Sequence, residues 1–386
     1  MRILLISSEF PPGPGGIGTH AYELARGFVE LGHDIEAVVG QDYVEPEMRD
    51  AWNLGRTFPV FPLAPAGQGG RFSRARDRLA VIRRRATLFR PDVILATGDP
   101  AVYWAGLANL LAGSRRVPIL AVEHGRVAPG PEAGLKRWSF RRADHVVAVS
   151  AYSLSRLAAQ GVRAQVGSVI HNGADVDYFR PASAEEQADL RGRYGLGDAP
   201  LLLTVGSVHA RKGQDLVVRA LPQILEEHPD TLYLVAGLGH EADALKGLAQ
   251  ELGVAERVRL LGPVSRDELR QLYGTCDLFL MTSRNTKTQF EGFGIAAVEA
   301  ALCGRPAVVS GDSGLQEAVV DGETGRVVPQ ENPAAIAEAA CELLAAPEMR
   351  ARWGEAAERR ARADLSWLRA ARAYARVMAG LVDGAS

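Results

Sequence analysis

The chain has 386 residues, which is enough for two domains that each bury a hydrophobic core. Its hydrophobic fraction of 47% and charged fraction of 23% are ordinary for a globular protein, and its formal net charge is -2. This balance excludes a general attraction to nucleic acid, so we expect no nucleic-acid partner.

Three cysteines, Cys276, Cys303 and Cys341, are widely spaced within apolar segments, with no CxxC pair and no histidine nearby in sequence at a zinc-ligand interval. We expect buried thiols in a reducing compartment. The apolar run at residues 3–6 is too short for the core of a secretory signal, and no stretch is long enough to span a membrane. These features predict a cytoplasmic protein.

The first half of the chain alternates short apolar runs with amphipathic segments. Residues 2–7 predict a strand, residues 19–31 a helix and residues 34–39 a second strand, which together form a βαβ unit. Further buried strands of a parallel sheet are predicted at 92–96, 119–123, 145–149 and 168–171.

A polar, turn-rich segment at residues 172–181 then interrupts the pattern, and we place an interdomain connection there. A second parallel sheet is predicted from strands at 201–205, 232–236, 258–261, 278–281 and 307–310. From Asn332, a predicted N-cap followed by Pro333, the chain reads as helical. The prediction is an α/β protein with domains at 1–175 and 182–365, which bind ligands in a cleft at their strand ends.

A glycine-rich loop at residues 11–18 joins the first strand to the first helix. Gly13, Gly15 and Gly18 satisfy G-x-G-x-x-G, but two extra prolines lengthen the turn, and Glu36 lies inside the second strand rather than at its end. We favour a loop that faces a sugar or phosphate, because glycine lets backbone amides approach such a ligand closely. A dinucleotide site and a purely structural turn are the alternatives.

Two adjacent cations, Arg211 and Lys212, follow the strand at 201–205 and Gly206. At the carboxyl end of a strand they suit a diphosphate, Arg as a planar fork and Lys as a point charge. The alternative is a solvated basic turn.

Glu291 and Glu299 enclose a glycine-rich helix start at Gly292 and Gly294, and the amides at a helix N-terminus predict an anion-binding site there. If all the residues between the two glutamates are helical, the carboxylates lie roughly 12 Å apart. That exceeds the separations of about 5 to 9.5 Å in glycosidases. The pair is better suited to hydroxyls at two ends of one extended ligand.

His124 follows the strand at 119–123 and precedes Gly125. A functional histidine at a strand end and a structural one are both consistent with this position.

Together these residues resemble a known family, the retaining glycosyltransferases of the GT-B fold that include glycogen synthases, sucrose synthases and bacterial phosphatidylinositol mannosyltransferases. The resemblance extends over nearly the whole chain. It is carried by the loop around Gly16, by 143–150 (ADHVVAVS), by 171–175 (HNGAD) with Phe179 and Pro181, and by 206–213, 290–306 and 317–325.

The resemblance implies two Rossmann-like domains that face a deep interdomain cleft, with a last helix at about 366–386 returning to the N-terminal domain. It implies a nucleotide-diphosphate sugar as donor, with retention of configuration and without a cofactor or metal ion. The implied catalytic residues are His124, Arg211, Lys212 and Glu291. The implied donor-binding residues are Gly16, Gly206, Val264, Gly292, Phe293, Gly294, Ile295 and Glu299.

Within that scheme Arg211 and Lys212 would hold the diphosphate, and Glu299 the ribose. Glu291 and the amides of residues 292–295 would hold the sugar and its phosphate. Gly16 would lie by the diphosphate from the opposite domain, His124 would approach the sugar, and Val264 would mark the stretch that holds the base.

Residues 71–90 form a basic stripe, with eight arginines against one acidic residue, Asp77. Apolar residues recur at helical steps from Phe72 to Phe89, which predicts one amphipathic helix. It is either a core-packed surface helix or a contact with an anionic membrane surface or an acidic acceptor.

Segments 283–294 and 311–314 resemble the mannosyltransferases most closely, which favours GDP-mannose over UDP-glucose or UDP-N-acetylglucosamine. The acceptor, a lipid, glycan or small molecule, stays open. Competing hypotheses are a nucleotide-sugar epimerase on the same fold, a hydride-transferring dinucleotide enzyme and a non-catalytic sugar-nucleotide-binding protein.

Overall fold

Two α/β units make up the chain, as seen in a computed structural model that describes residues 1–13, 15–42, 44–63, 71–111, 116–162 and 167–384. Unit 1 is Met1–Asn172 with Trp367–Ser386, and unit 2 is Gly173–Ser366. The division lies at the start of the polar segment 172–181. Pro14 of the glycine-rich loop and the side chain of Arg71 lie outside the described residues.

Unit 1 contains a seven-stranded sheet in the order β3-β2-β1-β4-β5-β6-β7, and its pairs are parallel. The strands are β1 (Arg2–Ser7), β2 (Asp34–Val39), β3 (Val60–Pro62), β4 (Val93–Thr97), β5 (Ile119–Glu123), β6 (His145–Ala148) and β7 (Gly167–Val169). The helices are α1 (Gly16–Glu30), α2 (Pro46–Leu54), α3 (Arg71–Phe89), α4 (Asp99–Leu110), α5 (Gly130–Phe140) and α6 (Ala151–Ala159).

Unit 2 contains a six-stranded parallel sheet in the order β10-β9-β8-β11-β12-β13. The strands are β8 (Leu201–Val205), β9 (Leu232–Ala236), β10 (Val258–Gly262), β11 (Leu278–Met281), β12 (Ala307–Ser310) and β13 (Gly325–Val328). The helices are α7 (Ala184–Tyr194), α8 (Gln214–Glu227), α9 (Ala242–Glu251), α10 (Arg266–Thr275), α11 (Ile295–Leu302), α12 (Leu315–Ala318), α13 (Pro333–Ala345) and α14 (Pro347–Asp364).

The central strands are buried because helices cover both faces of each sheet. Every residue of β4, β5, β9, β11 and β12 is buried, which explains their continuous apolar sequence. The predicted fold class, two parallel-sheet α/β domains, is confirmed. No described helix is both long and apolar enough to cross a bilayer.

The last helix, α15 (Trp367–Asp383), belongs to unit 1 and packs on α1. The two helices approach closely at Gly27, where an added Cβ would lie 2.7 Å from the Cβ of Ala371. Glycine therefore permits this contact. The predicted return of the chain to the N-terminal domain is present.

Several element boundaries differ from the sequence predictions. Helix α1 begins at Gly16, three residues earlier than predicted, because Gly15 takes a positive φ of 139° before the first turn. Strands β3 and β13 were not predicted. The N-cap at Asn332 is confirmed, since its side chain accepts a hydrogen bond from the Ala335 amide at 3.1 Å.

Helix α3 shows that the basic stripe has two faces. Ile82 is fully buried, whereas Phe72, predicted to join the same apolar seam, is 94% exposed. The helix packs on the core from Leu79 onward, so its first two turns precede this contact with the core. Arg85 also faces inward, and its guanidinium holds both carboxylate oxygens of Glu36 on β2, at 2.9 and 2.5 Å.

Arg85 is thus a structural residue and not part of a cationic surface. Its guanidinium also lies 4.0 Å from the ring centre of Phe61. Among the side chains of the stripe that the structure describes, the exposed arginines are Arg76, Arg83, Arg84 and Arg90.

Candidate active site

The candidate site of unit 2 lies where its strand order reverses. Strands β8 and β11 are neighbours. The strand that follows β8 lies towards one edge of the sheet, and the strand that follows β11 lies towards the other edge. Ligands of open α/β sheets bind at such a switch point, beside the carboxyl ends of the strands. Arg211 and Lys212 follow β8, and Glu291 lies in the segment between β11 and α11.

Arg211 and Lys212 form a short 3-10 turn, residues Ala210–Lys212, that is fixed from both sides. The His209 side chain accepts a hydrogen bond from the Arg211 amide at 3.1 Å. Gly213 ends the turn with φ of 73°, and an added Cβ there would lie 2.0 Å from the Thr282 carbonyl oxygen. The Arg284 amide donates to the Arg211 carbonyl at 2.8 Å, so the segment after β11 holds this turn.

Both cations meet one carboxylate. Glu291 Oε2 lies 2.9 Å from the Arg211 guanidinium and 2.8 Å from Lys212 Nζ. Burial raises the pKa of Glu291, but Lys212 and Arg211 outweigh burial and hold this pKa at about 2. The three predicted residues therefore come together, with Glu291 ionised across the physiological range.

The start of α11 is fixed by close backbone packing. Gly294 has φ of 92°, and a Cβ there would lie 2.4 Å from Leu315 Cδ2. The Gly314 amide donates to the Glu291 carbonyl at 2.9 Å, and Phe293 is buried. Ile295 is the first helical residue, and the Ala297 amide donates to the Gly294 carbonyl at 3.0 Å. The amides of Ile295 and Ala296 precede the first hydrogen bond of the helix. Gly292, which precedes Phe293, belongs to the same buried segment.

Glu299 lies one turn inside α11, and its orientation depends on a residue that no motif indicated. The buried Tyr273 on α10 donates its hydroxyl to Glu299 Oε2 at 2.8 Å. Glu291 is outside the helix, because α11 begins only at Ile295. The sequence estimate of roughly 12 Å between the two carboxylates assumed eight helical residues and does not apply.

Gly206 and Val264 follow β8 and β10, the two strands on either side of β9, at the same edge of the sheet. Gly206 follows β8 with φ of 146°, and its amide donates to the Ala236 carbonyl at 2.9 Å. Val264 follows β10, is partly exposed, and directly precedes Ser265, the N-cap of α10. Gly206 is thus part of the segment that leads to Arg211, whereas Val264 lies beyond β9.

Gly16 and His124 belong to unit 1. Gly16 is exposed at the start of α1, and an added Cβ would meet no atom within 4 Å. His124 follows β5, and its Nε2 lies 2.6 Å from Thr97 Oγ1. Burial and the charge of Lys136 lower the pKa of His124 to about 3, so the ring is neutral.

A buried ion network supports the segment around His124. Lys136 Nζ lies 2.7 Å from Glu123 Oε2 and 3.3 Å from Asp99 Oδ1, and Glu123 Oε1 accepts from the Gly125 amide at 2.9 Å. Burial and repulsion from Glu123 raise the pKa of Asp99 to about 6 despite Lys136. Sequence reasoning missed this network.

Within the described ranges, one group of side chains has the composition of a metal site. Ligand atoms of Glu227, His228 and Cys341 lie within 4.8 Å of one another. These residues meet only in the folded chain, where α13 packs on α8. For that reason the sequence showed no histidine near Cys341. This group shares no residue with the predicted donor site. The three cysteines are free and buried, as predicted.

Comparison with known proteins gives matches across both halves of the chain. The family model "Glycosyltransferase Family 4" matches residues 14–178, and "Glycosyl transferases group 1" matches residues 186–360. A GDP-mannose-dependent alpha-(1-6)-phosphatidylinositol monomannoside mannosyltransferase of Mycolicibacterium smegmatis is 32% identical over 391 residues, covering 95% of each chain. A glycogen synthase of Mycobacterium tuberculosis is 30% identical over 412 residues, covering 98% of this chain and 94% of that one.

Solved structures share the fold. Anabaena HepE in complex with UDP and glucose superposes with a TM-score of 0.81 at 23% identity, covering 98% of this chain and 100% of that one. Sucrose-phosphate synthase from Thermosynechococcus elongatus gives a TM-score of 0.80 at 22% identity, with both chains fully covered. With the two parallel-sheet domains and these relatives, the chain belongs to the group 1 glycosyltransferases of the GT-B fold.

Proposed function

We propose that this glycosyltransferase moves a mannosyl group from GDP-mannose to a lipid or glycan acceptor, with retention at the anomeric carbon and without a metal ion. The observation that carries the proposal is the pairing of Arg211 and Lys212 with Glu291 at the switch point of unit 2. Two cations that share one carboxylate retain a net positive charge, which suits a diphosphate.

The donor diphosphate would take the place of Glu291 between the two cations. Arg211 and Lys212 are only partly exposed, at 19% and 16% of their side chains, so a phosphate there is weakly screened by water. Glu291, released from both cations, would accept hydrogen bonds from the sugar hydroxyls. The amides from Gly292 to Ile295 would bind the phosphate next to the sugar.

The proposed chemistry depends on where charge develops. As the bond from the anomeric carbon to the phosphate oxygen breaks, negative charge grows on the leaving diphosphate, and Arg211, Lys212 and the start of α11 stabilise it. The acceptor oxygen forms its bond on the face that the diphosphate leaves, and its proton passes to a departing phosphate oxygen. The remaining assigned contacts are Glu299 to the ribose, Val264 and Gly206 near the nucleoside, Gly16 to the diphosphate and His124 to the sugar.

GDP-mannose is favoured because three mannosyltransferase relatives that are at least 31% identical are named GDP-mannose-dependent. A glucosyl donor is the second candidate, since a glycogen synthase at 30% identity also covers nearly the whole chain. The epimerase and the non-catalytic binder receive no support from these relatives.

Helix α3 is proposed as a contact with an anionic membrane surface. Its exposed face carries Arg76, Arg83 and Arg84 together with Phe72 and Leu88, which are 94% and 59% exposed. Cations attract anionic head groups, and apolar side chains enter the interface beside them. A membrane-bound acceptor would place a lipid substrate at the same surface.

The test is a transfer assay with GDP-mannose, UDP-glucose and UDP-N-acetylglucosamine, in the presence of EDTA, on a panel of phosphatidylinositol mannosides and oligosaccharides. We expect turnover with GDP-mannose that EDTA leaves unchanged and a product whose anomeric proton shows retention. Arg211→Met with Lys212→Met should lower kcat/KM by at least about 1,000-fold. Lys246→Met, at an exposed lysine of α9, is the control for removal of a charge. Hydrolysis or epimerisation of the donor without transfer would overturn the proposal.

A further inference from the structure

Four polar side chains of unit 1 form a row of three hydrogen-bond contacts that leads from the last helix to His124. The Tyr374 hydroxyl on α15 lies 3.2 Å from His20 Nε2 on α1. His20 Nδ1 lies 3.4 Å from Thr97 Oγ1 at the end of β4, and Thr97 Oγ1 lies 2.6 Å from His124 Nε2. Tyr374, His20 and Thr97 are all buried, so these contacts are shielded from solvent.

We propose that Tyr374, His20 and Thr97 are positioning residues that hold His124 as the tautomer with its proton on Nδ1. This inference deepens the proposed function, because it states what His124 offers to the donor sugar. It depends on which group donates and which accepts in each hydrogen bond from Tyr374 to His124.

The direction of the hydrogen bonds follows from the Tyr374 hydroxyl. Within the part of the chain that the structure describes, His20 Nε2 is the hydrogen-bond partner recorded for this hydroxyl. If His20 donated from Nε2, the buried hydroxyl proton of Tyr374 would have no acceptor there, which is unfavourable. Tyr374 therefore donates to His20 Nε2.

The remaining contacts then have one arrangement as long as both rings are neutral. His20 accepts at Nε2 and carries its proton on Nδ1, which donates to Thr97 Oγ1. Thr97 uses its own proton to donate to His124 Nε2. A neutral His124 that accepts at Nε2 carries its proton on Nδ1, and this N–H is left for a ligand.

Several features keep both rings neutral. His20 has no exposed surface, and the two rings contact edge to face with centroids 4.6 Å apart, so two imidazolium charges would repel at short range. Lys136, held between Glu123 and Asp99, adds a buried positive charge near His124. Burial and the neighbouring His124 lower the pKa of His20 well below its ordinary value.

The aromatic packing fixes the ring of His20 independently of its hydrogen bonds. Trp367 and Tyr374 of α15 approach this ring edge to face, with centroids 6.0 and 5.8 Å away. Helix α15 therefore helps to orient His20, and through His20 and Thr97 it helps to orient His124.

The tautomer can be measured directly by long-range ¹H–¹⁵N correlation NMR on full-length protein labelled with ¹⁵N-histidine. Loss of one signal set in His124→Gln assigns His124 among the eight histidines. We expect Nδ1 protonated and Nε2 unprotonated in the unmodified protein at pH 7. Thr97→Val should give a mixture of tautomers and lower kcat/KM by about tenfold, the effect of one misdirected hydrogen bond.

Two variants separate this effect from damage to the fold. Thr97→Ser keeps the hydroxyl and should restore both the single tautomer and the activity. Tyr374→Phe keeps the ring but removes the donor, and it should disturb the tautomers of His20 and His124, whereas Tyr103→Phe should not. His124 protonated on Nε2, or a tautomer unchanged in both Thr97→Val and Tyr374→Phe, would overturn the inference. Because the NMR result needs no substrate, it stands apart from any failure to find transferase activity.

Discussion

The Tyr273 hydroxyl donates a hydrogen bond to Glu299 Oε2 across 2.8 Å and so ties α10 to α11 beneath the proposed donor site. Tyr273 is fully buried, and burial together with the nearby Glu299 raises the pKa of Tyr273 well above its ordinary value. The hydroxyl therefore remains a donor at every working pH. One oxygen of Glu299 is fixed in place, which orients the carboxylate before any ligand binds.

Tyr273→Phe should weaken binding of a nucleoside diphosphate by about five- to tenfold, because Glu299 loses the hydrogen bond that orients it. Isothermal titration with GDP measures the change. Tyr233→Phe is the matched control, since Tyr233 is also fully buried in unit 2 but donates to Thr204 Oγ1 at 2.8 Å. Equal losses of GDP affinity in both variants would show that Tyr273 acts only through stability.

Glu291→Gln should separate binding from turnover. Without the competing charge of Glu291, Arg211 and Lys212 should bind GDP about fivefold more tightly, while kcat falls by at least about 100-fold because the sugar loses its contact. Titration and a transfer assay give the two values. Glu342→Gln, which breaks an arginine pair elsewhere in unit 2, should change neither. Weaker binding of GDP to Glu291→Gln would contradict this account.

The same variant gives a prediction for pH. The pKa of Glu291 is held at about 2, below its ordinary value of 4.5, so its ion pairs stabilise the fold above about pH 5. That stabilisation is lost as the pH falls from about 5 towards 2. The melting temperature of Glu291→Gln should therefore lie below that of the unmodified protein at pH 7, and the gap should close in acid. A gap that is constant from pH 7 to pH 3 would argue against the ion pairs as its cause.

Gly16→Ala should fold normally and lose activity. A Cβ at Gly16 meets no atom within 4 Å, whereas a Cβ at Gly18 would lie 3.2 Å from the backbone of Phe10. We expect an unchanged or slightly raised melting temperature for Gly16→Ala, and kcat/KM lower by at least about tenfold, because the methyl group would meet the diphosphate. Gly134→Ala, at another open helical position, should leave kcat/KM unchanged and the melting temperature unchanged or raised. Full activity in Gly16→Ala would remove Gly16 from the donor site.

Reversing the charge of Arg83 and Arg84 should abolish sedimentation with anionic liposomes, because both side chains are exposed on α3. Arg352→Glu with Arg359→Glu makes the same change in net charge on α14 and should leave binding intact. Arg85 is excluded from this test, since its substitution would break the pair with Glu36. Unchanged sedimentation of the Arg83 and Arg84 variant would end the membrane hypothesis.

Continuous apolar runs made the central strands predictable, and β1 and β2 have the predicted bounds. Strand β3 was not predicted because its three residues, 60–62, include a proline. Strand β13 was not predicted because it is short and begins with glycine. Such edge strands depend on a neighbouring strand more than on their own sequence.

In the site, motif and strand position were enough to bring Arg211, Lys212 and Glu291 into one group, but their direct pairing was not foreseen. Tyr273 and Lys136 act through contacts between elements distant in sequence, for which no local pattern exists. Arg85 was different, because it lies three residues after the buried Ile82 and thus on the inner face of α3. Helical spacing alone could have separated it from its neighbours.

The central claim is that Arg211, Lys212 and the start of α11 hold the donor diphosphate. A crystal structure of the chain with GDP-mannose or its product GDP tests this most directly. The account predicts both phosphates within hydrogen-bond distance of the Arg211 guanidinium and Lys212 Nζ, with Glu291 Oε2 no longer paired to them. A diphosphate bound elsewhere, with the contacts of 2.9 and 2.8 Å to Glu291 intact, would contradict it.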